Sequence, residues 1–346
     1  GGPYIPTYSV DTGPPANRGV FTDGDHRITI TSMGEQQVPN PNYGPSDSNK
    51  TIPRDYGFGT GGTVTLGDLT LNCPTSTWDD LSITCSVDAD TPVGSVGGHQ
   101  LTVTRDNGLS TVNGVTVQMG LRPGAVIRTV TGPSDPNVYP GAIQTAIDAA
   151  GPNDLILVEP GEYNEFVIMY KPVQLQGWGA GSTIINAVKG FAAERLTDWR
   201  DKVEQLVANG DIDLLPNQEA AFGGIEPVTF FTEEGAGVLV AASSSGDQAF
   251  DLQRLQGNNA QDNRGARIDG FTVRGADQGG GIVASGYTDY LEVSNNVLKN
   301  NSGFFGGGFR SGHPLLDNAL VDSDNDYISV HDNMITQNGE IGRAHV

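Results

Sequence analysis

Residues 139–186 read YPGAIQTAIDAAGPNDLILVEPGEYNEFVIMYKPVQLQGWGAGSTIIN. Ala142, Ile143, Ala146, Ile147 and Ala150 fall at helical spacing, which predicts a short helix with one apolar face. Pro140 stands where a first-turn proline is tolerated, and Gly151-Pro152 stops the helix. Leu155, Ile156, Leu157 and Val158 then form a short apolar run, closed by the turn Pro160-Gly161. Phe166-Val167-Ile168, Val173-Gln174-Leu175 and Ile184-Ile185 follow as further short strands, with Gly177 and Gly179 turning the chain. A helix followed by evenly spaced short strands predicts a chain wound into a coil.

The same rhythm returns after an interruption. Gly235-Ala236-Gly237, Gly279-Gly280-Gly281 and Gly306-Gly307-Gly308 each precede an apolar residue. Between them lie Ile268-Asp269-Gly270-Phe271-Thr272-Val273, the run from Leu291 to Leu298, and the run from Ile328 to Ile335. Aligning Gly270 with Asn296 gives 296 − 270 = 26, Gly281 with Gly308 gives 27, and Asn296 with Asn333 gives 37. Periods of about 20–50 residues signal a solenoid, here with an insertion in one coil. Val, Ile, Leu and Phe alternate toward a narrow interior, and coils stack at about 4.8 Å. Asn296 and Asn333 are placed at one left-handed corner, where asparagine can bond along a ladder. The glycine triplets permit a sharp corner or close backbone approach.

Residues 143–165, IQTAIDAAGPNDLILVEPGEYNE, resemble the first coil of right-handed parallel β-helix proteins of the pectate-lyase-like superfamily. That coil reads IQxAIDxAxPGDxIxVxPGxYxE, and its helix plugs the end of the solenoid. The resemblance implies a fold and leaves the reaction open, because one fold carries many functions.

Residues 61–120 have another pattern. Val64, Leu66, Leu69, Leu71, Leu81 and Ile83 are followed by Leu101-Thr102-Val103-Thr104 and Val115-Thr116-Val117, with Asp106-Asn107-Gly108 as a hairpin turn. Short strands with turns every eight to twelve residues predict a β-sandwich. The stretch around Trp78-Asp79-Asp80-Leu81-Ser82-Ile83, Asp90-Thr91-Pro92-Val93-Gly94 and Thr102 to Gly108 resembles the IPT/TIG class of immunoglobulin-like domains. Cys73 and Cys85 flank that tryptophan segment; they read either as a bridge closing a small loop or as two buried thiols.

The expected fold class is therefore all-β: a right-handed parallel β-helix, truncated, preceded by an Ig-like β-sandwich. Residues 1–60 form an irregular segment that can hold the sandwich's first strands, among them Arg27-Ile28-Thr29-Ile30-Thr31. Residues 61–120 are the sandwich, 121–138 a linker, and 139–339 the β-helix. An amphipathic helix is inserted near 191–209, with Leu196, Trp199, Val203, Leu206 and Val207 inward and Arg195 and Lys202 on the opposite face. Residues 340–346 read as an artefactual tail on a longer bacterial surface protein.

Nineteen Lys and Arg face 41 Asp and Glu, a formal net charge of −22. Such a surface repels phosphate backbones and anionic membranes, so nucleic acid is not an expected partner. No apolar run is long enough to cross a membrane. The long excursions lie at 187–234, 242–266 and 310–326. The last contains Arg310, His313 and Asp317, the candidate catalytic groups, and Asp322, Asp324 and Asp326, the candidate calcium ligands. Tyr327 stands where a calcium loop needs glycine and Asn333 where it needs a bidentate glutamate, so a solvated acidic loop is the competing reading. Glu233-Glu234 reads as exposed, and His331 as packed on the coil surface.

Two functions follow. One is a non-catalytic extracellular or cell-surface β-helix protein, structural or glycan-binding. The alternative is a polysaccharide lyase, epimerase or glycoside hydrolase acting on acidic glycans in a lateral groove, with Ca2+ as its possible cofactor.

Overall fold

The computed structural model describes residues 2–10, 20–21, 26–87, 97–111, 114–121, 124–132, 138–188, 194–222, 229–250, 266–313 and 322–340. The chain divides into two compact units, Gly1–Gly120 and Leu121–Val346.

In the first unit, Thr7–Val10, His26–Thr31 and Ser82–Val87 form one antiparallel sheet. The other sheet has the order Val20–Phe21, Val115–Met119, Gly97–Arg105, Gly62–Leu66 and Leu69–Thr70. Strand residues two apart face one side. Tyr8, Val10, Ile28, Ile30, Ile83 and Val87 from one sheet thus meet Val64, Leu66, Leu101, Val103, Val115 and Val117 from the other in a single buried core. This two-sheet sandwich draws strands from residues 1–60 as well. Those residues also hold a hairpin, Glu35–Pro39 with Thr51–Asp55. The predicted turn is present: Gly108 adopts φ +81°, and its N–H donates to the Arg105 carbonyl at 2.9 Å. Asp90-Thr91-Pro92-Val93-Gly94, part of the IPT/TIG resemblance, lies outside the described residues.

Cys73 and Cys85 are joined by a disulfide across a sequence separation of 12. Closing a loop of that size restricts the unfolded chain and contributes about 2–3 kcal/mol. Reduction is expected to lower the sandwich's free energy of unfolding by that amount, shifting its urea midpoint down, and to leave the second unit's midpoint unchanged. Equal shifts in both units would contradict this.

The second unit is a parallel β-helix. Successive coils supply strands to three parallel sheets, which have six, five and four strands among the described residues. Ile127–Val130, inside the expected linker, already pairs with Leu155–Val158, so winding begins there. Interior ladders run through the stack. Ile156, Leu175, Ile268 and Val293 lie in register in the first sheet. Tyr163, Ile185, Val273 and Leu298 do so in the second. All eight side chains are buried. Glycine precedes the third strand of three coils because neighbouring backbone leaves no room: a Cβ on Gly237 would lie 2.6 Å from the Gly281 oxygen, and one on Gly281 2.7 Å from the Gly308 oxygen.

The opening motif acquires a physical account. Helix α1, Ala142–Ala149, buries Ile143, Gln144 and Ile147 against the first coil. Its start has no side-chain cap of its own. The buried Glu165 carboxylate closes it instead, accepting from Ile143 N at 3.1 Å and Gln144 N at 3.0 Å. The Gln144 side chain bonds both backbone groups of Ile168, at 2.6 and 3.1 Å. Asp154 accepts from Gly151 N, Val126 N and Arg128 Nε, each within 2.9 Å.

Helix α2, Glu194–Asn209, buries Trp199, Val203 and Leu206 in the solenoid core and ends before Gly210, at φ +78°. Arg195 departs from its expected outward place. It is buried, its guanidinium lies 5.4 Å from the Phe166 ring, and it donates to the Val188 and Asn164 carbonyls.

The strand register corrects the repeat by one residue. Ile268 pairs with Val293, a period of 293 − 268 = 25, so Gly270 corresponds to Asn295. The left-handed corner positions are Gly270, Asn295 and Asp332, at φ +78°, +55° and +53°. Asn296 and Asn333 are the residues after them, and they form the ladder. Asn296 Oδ1 accepts from Phe271 N, and Asn333 Oδ1 from Asn296 N, at 3.0 and 2.9 Å. A second ladder runs in parallel: Asn301 Oδ1 accepts from Ala276 N at 3.2 Å and Asn338 Oδ1 from Asn301 N at 3.1 Å.

Candidate functional site

Arg310 sits in the third-sheet strand Phe309–Ser311, in register with Val283. His313 follows two residues after the strand's end. Both converge on a residue that local sequence reading placed on the surface. Glu233 ends a short 3-10 turn, Phe230–Glu233, and is fully buried; Glu234 is buried beside it. Glu233 Oε1 accepts from Arg310 Nη2 at 2.6 Å and lies 2.7 Å from His313 Nδ1. Its other oxygen accepts from Thr232 Oγ1 at 2.9 Å. Burial alone would push the Glu233 carboxyl up; the Arg310 charge and the His313 contact outweigh it and hold the group below the usual glutamate range. Glu234 in turn is paired with Arg200 of α2, at 2.7 Å.

This cluster ties an insertion to a strand two coils further on. Its side chains are enclosed, with His313 at 1% and Arg310 at 8% exposure. Asp317, the third candidate, lies outside the described residues.

Asp322, Asp324 and Asp326 are all exposed. They alternate with Asn325, which does the anchoring: its Oδ1 accepts from Thr288 N and Oγ1, and its Nδ2 donates to the Ala284 and Ser285 carbonyls. Among the described residues no three His, Cys, Asp or Glu side chains gather as metal ligands, so the calcium reading finds no ligand cluster here. The alternation itself explains this. With one residue bonded inward, its neighbours are held apart on the solvent side.

What this loop does carry is aromatic. Tyr290 and Tyr327 occupy the same corner of successive coils, 327 − 290 = 37 residues apart, like Val293 and Val330. Their rings stack at 4.8 Å with planes 8° apart, and Tyr327 is 73% exposed. Both tyrosines adopt left-handed φ, +58° and +57°, a costly conformation for a bulky residue. Surrounding bonds impose it: Tyr290 N donates to the Asp326 carbonyl, and Asp326 N to Asp289 Oδ1.

On the first sheet, His331 Nε2 lies 3.2 Å from Glu292 Oε1, and its Nδ1 2.8 Å from Asp332 Oδ2. Burial opposes its protonation, but the two carboxylates outweigh it and raise the imidazole above its ordinary range. Further inside the stack, Asp269 Oδ2 accepts from Ser294 Oγ and Asn295 Nδ2 at 2.6 and 2.7 Å.

No family model and no curated protein matches the chain. Among solved structures it is similar to a Family 28 exopolygalacturonase of Yersinia enterocolitica, at 11% identity and a TM-score of 0.28, covering 91% of this chain and 67% of that one. It is also similar to the catalytic domain of a GH87 α-1,3-glucanase, at 10% identity and a TM-score of 0.24, covering 98% of this chain and 61% of that one. Likenesses at these scores carry no argument here; the β-helix rests on the strand pairing above.

Proposed function

We propose that this chain is a non-catalytic glycan-binding β-helix protein of the cell exterior, with the sandwich as an IPT/TIG-like adhesive module. The observation that carries the reading is the Tyr290–Tyr327 stack, two rings 4.8 Å apart on one corner of successive coils, both held in a strained left-handed backbone. An aromatic ring face gains free energy when an apolar face covers it, and the C–H face of a sugar ring is such a surface. The disulfide supports an oxidising compartment. The net charge and the exposed Asp322, Asp324 and Asp326 beside the tyrosines favour an uncharged polysaccharide over a uronate, which they would repel. The alternative, a lyase, epimerase or hydrolase of acidic glycans, would need Arg310 and His313 at a sugar; both are engaged with Glu233.

Affinity electrophoresis in gels cast with neutral polysaccharides tests this. The chain should be retarded by at least one of them, and Tyr327→Ala should weaken retardation about tenfold, the equivalent of about 1.4 kcal/mol, with unchanged circular dichroism. Equal retardation of both proteins, or none of either, would contradict the assignment.

A further inference from the structure

The hairpin Glu35–Pro39 with Thr51–Asp55 pairs with no other strand among the described residues. The end of its connection and the first residue of its second strand read Asp47-Ser48-Asn49-Lys50-Thr51. Asn49-Lys50-Thr51 is an N-x-T triplet with no proline in the middle, the acceptor pattern for N-linked glycosylation. The hydroxyl at the third place is what a transferase grips to hold the asparagine amide against the donor sugar. Asp47 adds an acid two residues before the asparagine, the longer pattern read by transferases that meet it with a cation.

The fold holds this stretch without using the asparagine side chain. Asn40, which is buried, does the holding: its Nδ2 donates to Asp47 Oδ2 and to the Asn49 carbonyl, both at 2.8 Å, and its N–H to the Lys50 carbonyl at 2.9 Å. Asp47 Oδ1 accepts from Asn49 N at 3.0 Å. These bonds engage the Asn49 backbone; its side-chain amide enters none of them, and Ser48, Asn49, Lys50 and Thr51 are all exposed. The bonds from Asn40 and from Asn49 N hold the Asp47 carboxyl below the usual aspartate range, so it is an anion at neutral pH. The triplet occurs again at Asn300-Asn301-Ser302, in opposite surroundings. Leu298 stands there in the place of the acid. Asn301 is buried in its ladder, Ser302 N donates to the Ala276 carbonyl at 2.6 Å, and the Ser302 carbonyl accepts from Gly280 N at 3.0 Å. Backbone locked between coils resists being lifted into a transferase, whereas a two-stranded hairpin is marginal by itself and reshapes locally.

We propose that Asn49 is an acceptor site for N-linked glycosylation, modified by an oligosaccharyltransferase from a polyprenyl-diphosphate-linked oligosaccharide. Asn49 Nδ2 attacks the anomeric carbon, and the N–C bond forms as the bond from that carbon to the diphosphate oxygen breaks. The oxygen keeps the bonding pair and leaves as the lipid diphosphate, while one amide proton passes to a base of the transferase. The Cys73–Cys85 disulfide of the same unit fits the oxidising side of the membrane on which such transfer takes place. An oligosaccharide here also shields the outer edges of the hairpin, unpaired among the described residues, from pairing with another chain. The site is independent of the tyrosine corner, which belongs to the other unit.

Incubation of the folded chain with an acid-requiring oligosaccharyltransferase and its lipid-linked oligosaccharide, followed by intact mass and peptide mapping, tests the assignment. A single oligosaccharide should be added, on the peptide that contains Asn49. Asn49→Gln and Thr51→Val should abolish the addition, and Asn300→Gln should leave it unchanged. Asp47→Asn keeps the acceptor of the turn and removes its charge; it should slow the addition about tenfold, the order expected for losing one contact to a charged group. A synthetic peptide of residues 45–53 in the same mixture reads the pattern apart from the fold. Modification of the peptide but not of the chain would overturn the proposal by showing the folded site closed. No modification of either would overturn it by showing that the pattern is not an acceptor, and addition that persists in Asn49→Gln would place the site elsewhere.

Discussion

Glu233→Ala is expected to destabilise the second unit by about 3–5 kcal/mol, the range for removing one partner of a buried ion pair. The magnitude follows from what is left behind. Arg310 and His313 would remain enclosed with no carboxylate between them, and the Arg310 guanidinium would be a buried charge without its partner. Glu233→Gln keeps the shape and one acceptor, so it should cost less at neutral pH and show the cause through pH. The native Glu233 pKa lies below its value in the unfolded chain. Its contribution is therefore fully present above the unfolded pKa, about 4.3, and is lost as pH falls through the lower native value. Wild-type stability should drop along that acid limb, and the Gln variant should show a flatter one. Urea unfolding followed by tryptophan emission reads both. Equal acid limbs would contradict the assignment of the Glu233 carboxylate as the titrating group.

Asn296→Ala is expected to cost about 3 kcal/mol, and Asn338→Ala about 1. Asn296 is buried, and its amide serves Phe271 N at 3.0 Å and the Ile268 carbonyl at 3.0 Å, two backbone groups with no access to water. Alanine would orphan both. Asn338 makes the equivalent bonds, to Leu298 O and from Asn301 N, but it lies on the last described coil, where it is half-buried and water can replace its amide. Hydrogen exchange should report the same contrast, with the Phe271 amide losing protection in Asn296→Ala. Equal costs for the two substitutions would mean that position in the stack does not matter, against the coil-by-coil account.

The contrast between those residues also shows what the sequence could reveal. The plug helix, its buried Ile143 and Ile147 and the amphipathic face of α2 were legible because periodicity is local. The first asparagine ladder, Asn296 and Asn333, is legible in the sequence, and only its corner is off by one: Gly270 aligns with Asn295. The second ladder was missed although its signal was present. Asn300-Asn301 and Gln337-Asn338 repeat, five residues later, the pattern of Asn295-Asn296 and Asp332-Asn333. Glu233 was not legible at all. Its partners lie 77 and 80 residues away, and a Glu-Glu pair reads as solvated when those partners are unseen. Arg195 is hidden in the same way, since its acceptors are the backbone carbonyls of Val188 and Asn164, which leave no mark in composition. The tyrosine stack could have been found from its 37-residue spacing, the spacing the neighbouring strands share.

The central claim is that ionisable side chains resembling chemistry serve the packing of the coils, while an exposed aromatic corner holds sugar without cutting it. Prolonged incubation with a fluorescently end-labelled neutral polysaccharide, then separation of bound and free material by size, tests it in one run. The account predicts labelled chains that co-migrate with the protein and are recovered at their starting length. Progressive shortening of the label, abolished by substitution of Arg310, His313 or Glu233, would contradict it.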